Sequence, residues 1–200
     1  MSSSSSTPRL RITVALLVIV LALVAVSERD WATGLTGVAM QLAALACIAC
    51  AALGRVWSSV FIAGFKDESL VRTGPYSALR HPLYALSLLA ALGIGLATRS
   101  LAITVALVAT LGAIHAAAAR REDDVLHRRH GTAFEEYRRS VRPFWPRASA
   151  YEVPERLEIR PRVLWKAFLD AGSLLGYYAL LVLADTLQLA GLTPAWLSLP

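Results

Sequence analysis

The sequence lacks most of the signatures that mark familiar chemistries. It has no GxSxG nucleophile elbow, no HExxH zinc helix, no GxxxxGK[ST] phosphate loop and no GxGxxG turn after a strand. Cysteine is scarce, with only Cys47 and Cys50. Their CxxC spacing suits a redox or zinc pair, but they lie inside the apolar run MQLAALACIACAALG, without a second pair and without histidine at ligand spacing. They therefore read as small hydrophobes on a helix face. Of the four histidines, only His127 and His130 are near neighbours, and they could share a metal only if a helix break brought them together, so no metal site is expected. Charged residues make up only 17% of the chain, internal repeats are missing, and low complexity is confined to the opening serines.

What is present is apolar length. Of 200 residues, 56% are hydrophobic, and the mean hydropathy is +0.53. That exceeds what a soluble domain of this size needs and points to repeated membrane-spanning runs. Five stand out: Leu10–Val26, Trp31–Leu53, Leu83–Ala97, Leu101–Ala119 and one around Ser173–Leu192. The third is short and gains length if its helix starts at Pro82, while ATRS (97–100) joins it to the fourth as a helical hairpin. The first follows MSSSSSTPRLR and reads as a retained membrane helix. A secretory signal ending near Ala25 to Ser27 is the alternative, since the run is near the lower limit for a span but longer than most signal cores.

The net charge of +6 speaks for sidedness, not for a nucleic-acid partner. Counted by connection, the basic residues alternate. The tail has Arg9 and Arg11, the first loop Arg29, and the second (54–81) Arg55, Lys66, Arg72 and Arg80. The third has Arg99, and 120–166 has twelve. This places the N-terminus, 54–81 and 120–163 in the cytoplasm and the C-terminus outside. The expected fold class is an all-α integral membrane protein of about five transmembrane helices. Its expected parts are 1–53 (tail and two helices), 54–146 (a core of cytoplasmic loop, hairpin and amphipathic helices) and 147–200 (linker and an additional C-terminal helix).

Within 54–81, VWSSVFIAGF is β-prone and turn-bounded, KDE follows, and TGPYS reads as a turn punctuated by Gly74 and Pro75. Residues 120–142 read as helix, with Glu122, Leu126, Phe134, Tyr137 and Val141 near one stripe. Gly131 interrupts that helix, and Thr132 with Glu135 offers a capping box to restart it. Lys166 and Asp170, four apart, suit an interfacial pair.

The stretch RHPLY (80–84) holds the chemistry. Pro82 is a natural first-turn residue with His81 near the N-cap, and the helix it opens carries free N–H groups and partial positive charge at its cytoplasmic end. Such an end binds a carboxylate, and the Arg80 guanidinium offers a fork to the same anion. Tyr84 lies on the face of His81. The plainer reading has Arg80 snorkelling to headgroups and Tyr84 in an aromatic belt. In RREDDVL (120–126), Glu122 could balance a cation or take hydrogen bonds, or be part of a solvated cluster paired with neighbouring arginines. His115, two turns before Glu122 on the same face, is either a functional residue at membrane depth or hydrogen-bonded packing.

LVRTGPYSALRHPLY (70–84), with EDDVLHRRHG (122–131) and FEEYRRSVRPFWP (134–146) after it, resembles the isoprenylcysteine carboxyl methyltransferases and the related phospholipid N-methyltransferases. Their pattern runs L-V-x-x-G-P-Y-x-x-x-R-H-P-x-Y, then E-E-x-x-L-x-x-x-F-G, spaced tyrosines and V-x-x-x-x-P. Here Asp123 replaces the second Glu and His130 the Phe. The likeness covers roughly 54–146. It implies S-adenosylmethionine-dependent methyl transfer at the cytoplasmic face, with the cofactor between the start of the RHPxY helix and the helix break. Tyr76, His81, Pro82 and Tyr84 would line its pocket, with Gly74, Pro75, His115 and Glu122 counted beside them. Glu122 would face the sulfonium, and Arg80 would hold the substrate. Arg80 and Glu122 are the expected catalytic residues. The substrate would be lipophilic and enter from the bilayer among the membrane lipids, with an isoprenylcysteine-type carboxylate first and a phospholipid amine second. A carboxylate needs no strong base, whereas an amine does, and Glu122 or His81 could serve. A non-catalytic membrane subunit on the same scaffold is the reading from another class.

Overall fold

The computed structural model describes residues 6–28, 34–62, 70–157, 159–192 and 197–198. Among the described residues, seven helices follow in order: α1 (Ser6–Val26), α2 (Gly34–Ile62), α3 (Pro75–Ala78), α4 (Pro82–Ala97), α5 (Leu101–His130), α6 (Thr132–Ser140) and α7 (Pro161–Leu189). A 3₁₀ turn spans Ala148–Ala150, and Ser27–Glu28 pairs in parallel with Leu197–Ser198 over two residues. The protein is an all-α integral membrane protein. Gly34–Ile62, Leu101–His130 and Pro161–Gln188 are long and apolar enough to span, and Ile12–Val24 and Pro82–Ala97 are shorter apolar stretches. Leu35, Leu53, Leu101, Trp165 and Leu183 stay exposed, as side chains facing hydrocarbon do.

Two expected boundaries change. VWSSVFI is not a β-prone loop. It completes α2, because its backbone continues the hydrogen-bonding of an established helix and buries Val60 and Phe61; tertiary packing overrides β propensity here. The division at 53/54 thus falls inside α2. The start of that segment, Trp31 to Thr33, and Arg29, Lys66 and the rest of 63–69 with KDE, lie outside the described residues. The last helix begins at Pro161 and so includes Lys166 and Asp170. Asp170 does not pair with Lys166 but with Arg55, at 2.6 Å.

The chain forms two compact units. The first comprises 1–49, 90–114 and 174–200. In it, the connection of α4 to α5 is the expected tight hairpin. The Thr98 hydroxyl donates to the Gly95 carbonyl (2.6 Å), and Ser100 Oγ accepts from the Ile103 N–H (3.3 Å), capping α5. Arg99 sits in the left-handed region at φ 53, with its guanidinium 2.8 Å from Asp185 of α7. The Gln41 side chain donates to the Ala97 carbonyl (3.2 Å), and Tyr177 donates to the Leu17 carbonyl (2.6 Å). Cys47 and Cys50 form no disulfide.

The second unit comprises 50–89 and 115–173. α5 continues to His130, and Gly131, at φ 51, breaks it as expected. The expected capping box does not form. The N-cap of α6 is Gly131 without a side-chain cap, and the Glu135 carboxylate is drawn to His127 Nδ1 at 2.9 Å. The stripe read from sequence packs: Phe134, Tyr137 and Val141 are buried together, with Leu70 and Leu126 against them.

Candidate functional site

The site is built where three short segments of the second unit meet. Gly74 opens the first, at φ 61, and a Cβ there would come within 2.3 Å of the Phe61 ring, so no other residue fits. Pro75 follows in the first turn of α3 and fixes its φ. The turn is then pinned from several directions. Gly74 bridges to Glu152, and Ser77 Oγ donates to the Gly74 carbonyl (2.7 Å) and accepts from the Glu152 N–H (2.9 Å). Tyr137 donates to the Tyr76 carbonyl at 2.7 Å. The boundary expected after Pro146 therefore divides hydrogen-bonded partners, since the Arg147 N–H also donates to the Ala78 carbonyl (3.0 Å).

The second segment is Arg80-His81-Pro82. Pro82 biases His81 toward extended backbone. The N–H groups of Arg80 and His81 donate sideways to the Arg142 and Pro143 carbonyls, at 2.8 and 3.2 Å. The His81 carbonyl accepts the first bond of α4, from Ala85 at 3.2 Å. Both side chains are buried. Two of the Arg80 terminal contacts go to the Arg138 and Val141 carbonyls (3.2 and 3.4 Å) and one to Asp123 (3.2 Å).

The third segment is α5 at Glu122 and Asp123. Asp123 takes both neighbours at once, with Oδ1 lying 2.9 Å from His81 Nε2 and Oδ2 3.2 Å from Arg80. Glu122 is 3.7 Å from His81 Nδ1 and stays 38% exposed, against 16% for Asp123. Above them the rings form a column. His81 stacks on Tyr84 (5.6 Å between centroids), Tyr84 stacks on His115 (5.3 Å), and Phe144 tilts against His81 at 6.0 Å.

A cavity of about 140 Å³ opens among these groups, walled by Arg80 to Tyr84 on one side and by Ile62, Tyr76 and Glu122 on the others. Of the residues predicted from sequence, Arg80, Tyr76, His81, Pro82, Tyr84 and Glu122 line it. Gly74 and Pro75 set the turn that presents Tyr76, and His115 is reached through the Tyr84 ring. Two buried donors in this wall, the Tyr76 hydroxyl and Arg80 Nε, have no hydrogen-bond partner among the described residues. Burial, and next the charge of Glu122, push the Tyr76 phenol up, so it stays a neutral donor. Burial does the same to Tyr137, while the Arg80 charge opposes it. Buried donors left unpaired are costly, and an incoming acceptor oxygen removes that cost.

In the sequence, Asp123 stands out only as a replacement for the second Glu of the family pattern. Its signal was available in its position beside Glu122, but adjacent helix residues point about 100° apart. Only the packing of α5 shows that Asp123 turns toward Arg80 and His81.

A model of the phospholipid methyltransferase family matches residues 29–133, just over half the chain, a segment that includes 70–84 and 122–131 and ends before 134–146. The chain belongs to this family. It is thus a membrane protein of methyltransferase type, and the family generally uses S-adenosylmethionine. The chain is also 41% identical over 104 residues to the cobalt-zinc-cadmium resistance protein CzcN of Cupriavidus metallidurans (52% of this chain, 48% of that one). It is 37% identical over 101 residues to the nickel-cobalt-cadmium resistance protein NccN of Alcaligenes xylosoxydans xylosoxydans (50% and 47%). The chain spans about half the length of these curated relatives. No solved structure matches. Among the described residues no group of three or more potential ligands could hold a metal ion.

Proposed function

We propose that the protein transfers the methyl group of S-adenosylmethionine to a lipophilic acceptor at the cytoplasmic face of the membrane. The observation that carries this reading is the pair of unpartnered, buried donors, Tyr76 hydroxyl and Arg80 Nε, in the wall of one cavity with Glu122. The cofactor brings a carboxylate for the two donors and a sulfonium for the Glu122 carboxylate. At about 140 Å³ the cavity is smaller than the roughly 300–1,000 Å³ that encloses a drug-sized ligand. It holds the charged end of the molecule and leaves the remainder to extend outward. When bound, the cofactor supplies an activated methyl group for in-line displacement, and the chain contributes chiefly position. Asp123 fixes Arg80 and His81, the Tyr84 ring fixes the His81 plane, and the buried wall excludes water from one side.

The acceptor enters from the bilayer. An isoprenylcysteine-type carboxylate and a phospholipid amine both suit such an entrance. Loop charge supports a cytoplasmic N-terminus and site, with the C-terminus outside. Cytoplasmic-side labelling of Ser140→Cys, in a background lacking Cys47 and Cys50, tests that orientation. Ser140 is exposed, whereas Ser77 is too buried to report.

The decisive measurement is S-adenosylmethionine binding to the detergent-purified protein, followed by transfer of labelled methyl groups into total lipid and prenylcysteine analogues side by side. Binding in the wild type, weakened in Glu122→Ala, is the expected result, and no binding to the wild type defeats the reading. The names of the two relatives favour a second reading, a non-catalytic membrane component of a metal-resistance system. Methyl turnover on any lipid acceptor excludes it.

A further inference from the structure

We propose that the loop 142–147 is a docking surface for anionic lipid headgroups, through which the surrounding lipid steadies the start of α4. The surface lies outside the cavity and is independent of which acceptor is methylated.

The loop reads Arg-Pro-Phe-Trp-Pro-Arg. Pro143 and Pro146 lock their own φ and bias Arg142 and Trp145 toward extended backbone. The shape of the loop is thus largely set before anything binds. The two aromatic residues between the prolines go opposite ways. Phe144 turns in and tilts against the His81 ring at 6.0 Å. Trp145 turns out and is 72% exposed. A stiff loop that holds an indole outward keeps a large apolar area uncovered, which is unfavourable in water.

Backbone bonds fix the depth of the loop. The Arg142 and Pro143 carbonyls accept from the N–H groups of Arg80 and His81, at 2.8 and 3.2 Å, and the Arg147 N–H donates to the Ala78 carbonyl at 3.0 Å. The loop is therefore tied to the residues just before Pro82, where α4 begins. α4 has 16 residues, which make about 24 Å of helix, against roughly 30 Å of bilayer hydrocarbon. A helix that short, with Arg80 before it and Arg99 after it, has no length to lift its first residue clear of the headgroups. Trp145 projects at that level. An indole, apolar in body and polar at one edge, is most stable there. The same depth favours lipid over a protein partner as the occupant.

Charge selects the lipid. Arg142 and Arg147 flank the aromatic pair, both exposed, and neither makes an ion pair among the described residues. Arg147 borders a groove that also holds Glu136 and Glu152 and pairs with neither, so carboxylates bound the basic surface on that side. Two guanidinium groups beside an interfacial tryptophan suit a phosphate headgroup of net negative charge. A zwitterionic lipid would bring its own ammonium to the same arginines. The consequence reaches the site, because the carbonyls of this loop hold the Arg80 and His81 N–H groups. Lipid that binds the docked loop holds those bonds closed, by mass action.

The test uses the full chain in nanodiscs, of phosphatidylcholine alone or with about one third phosphatidylglycerol. Trp145 emission is taken as the difference between wild type and Trp145→Phe. A nitroxide at the top of a lipid acyl chain should quench it, and acrylamide in the water should not. The nitroxide should quench about fivefold more effectively on phosphatidylglycerol than on phosphatidylcholine, the factor expected of one arginine near an anionic surface. That preference should vanish in Arg142→Gln with Arg147→Gln. Amide hydrogen exchange at Arg80 and His81 reads the loop bonds directly. It should slow about fivefold when phosphatidylglycerol is added to wild type, and stay unchanged in the double variant. Equal quenching by the two lipids, or exchange indifferent to phosphatidylglycerol, overturns the proposal. Quenching by acrylamide alone puts Trp145 in water and overturns it. Protection from both quenchers puts a second copy or a partner protein on the loop and also overturns it. None of these readouts uses cofactor or turnover, so failure of the methyltransferase reading would show separately, in S-adenosylmethionine binding.

Discussion

Two arginine–aspartate pairs stand near the two ends of α4, and they do different things. Arg99, just past its C-terminus, meets Asp185 at 2.8 Å, with side chains 15% and 10% exposed. Arg80, just before its N-terminus, meets Asp123 at 3.2 Å, with side chains 7% and 16% exposed. The chemistry is the same and the burial similar. Asp185 ties a left-handed turn to α7, amid hydroxyls that cap the hairpin. Asp123 divides its two oxygens between Arg80 and His81, beside a cavity with unpartnered donors. An ion pair is an anchor or part of a site according to what else its carboxylate holds and what space adjoins it, not according to its own strength.

The sharpest way to break the comparison is to remove each carboxylate. Asp123→Ala leaves Arg80 buried without its counter-ion and should lower unfolding free energy by about 3–5 kcal/mol, with methyl transfer per folded molecule falling by more than about 100-fold. Denaturant titration in detergent and a labelled-methyl assay read the two effects. Asp185→Ala should cost a comparable amount of stability, about 3 kcal/mol, with the cofactor Kd of the folded fraction unchanged. A large rise in that Kd would erase the distinction between anchor and site.

Tyr76→Phe sharpens it further. It deletes a buried hydroxyl that has no partner, so the ligand-free protein should hold its stability or gain about 1 kcal/mol, while S-adenosylmethionine binds about tenfold more weakly, or about 1.4 kcal/mol. The same substitution carries a pH signature. The folded-state phenol lies above its ordinary value of 10.0 because of burial and Glu122. The unfolded chain therefore ionises first, and the contribution of Tyr76 is complete below about pH 10 and lost as pH rises beyond it. Urea midpoints from about pH 9 to about 11 should fall less steeply in Tyr76→Phe than in wild type. The smallest effect belongs to Arg55 and Asp170, whose carboxylate is 48% exposed. Asp170→Asn should change stability by no more than about 0.5 kcal/mol in the same titration.

Much of the fold could be read in advance because membrane helices declare themselves by apolar length. The hairpin at 97–100 and the break at Gly131 were legible for the same local reasons of polarity and backbone freedom. The end of α2 was not. VWSSVFI has the composition of a strand, and its helical state depends on the turns before it and on burial of Phe61. Glu135 has the spacing of a capping box with Thr132, but its carboxylate goes to His127, a contact across the break that spacing does not reveal. In the site, RHPLY and Glu122 were visible as residues out of place in an oily chain.

The sequence by itself determined that this is a helical membrane protein with a polar constellation at the start of one helix and the exit of the next, because hydropathy and motif spacing are local and additive. The tertiary structure decided which carboxylate that constellation uses. Glu122 and Asp123 are adjacent in the chain and differ by one methylene, yet the rotation of α5 turns Asp123 onto Arg80 and His81 and leaves Glu122 half-open at the cavity. A step of one residue along a helix is a turn of about 100°, and only packing sets where that turn points.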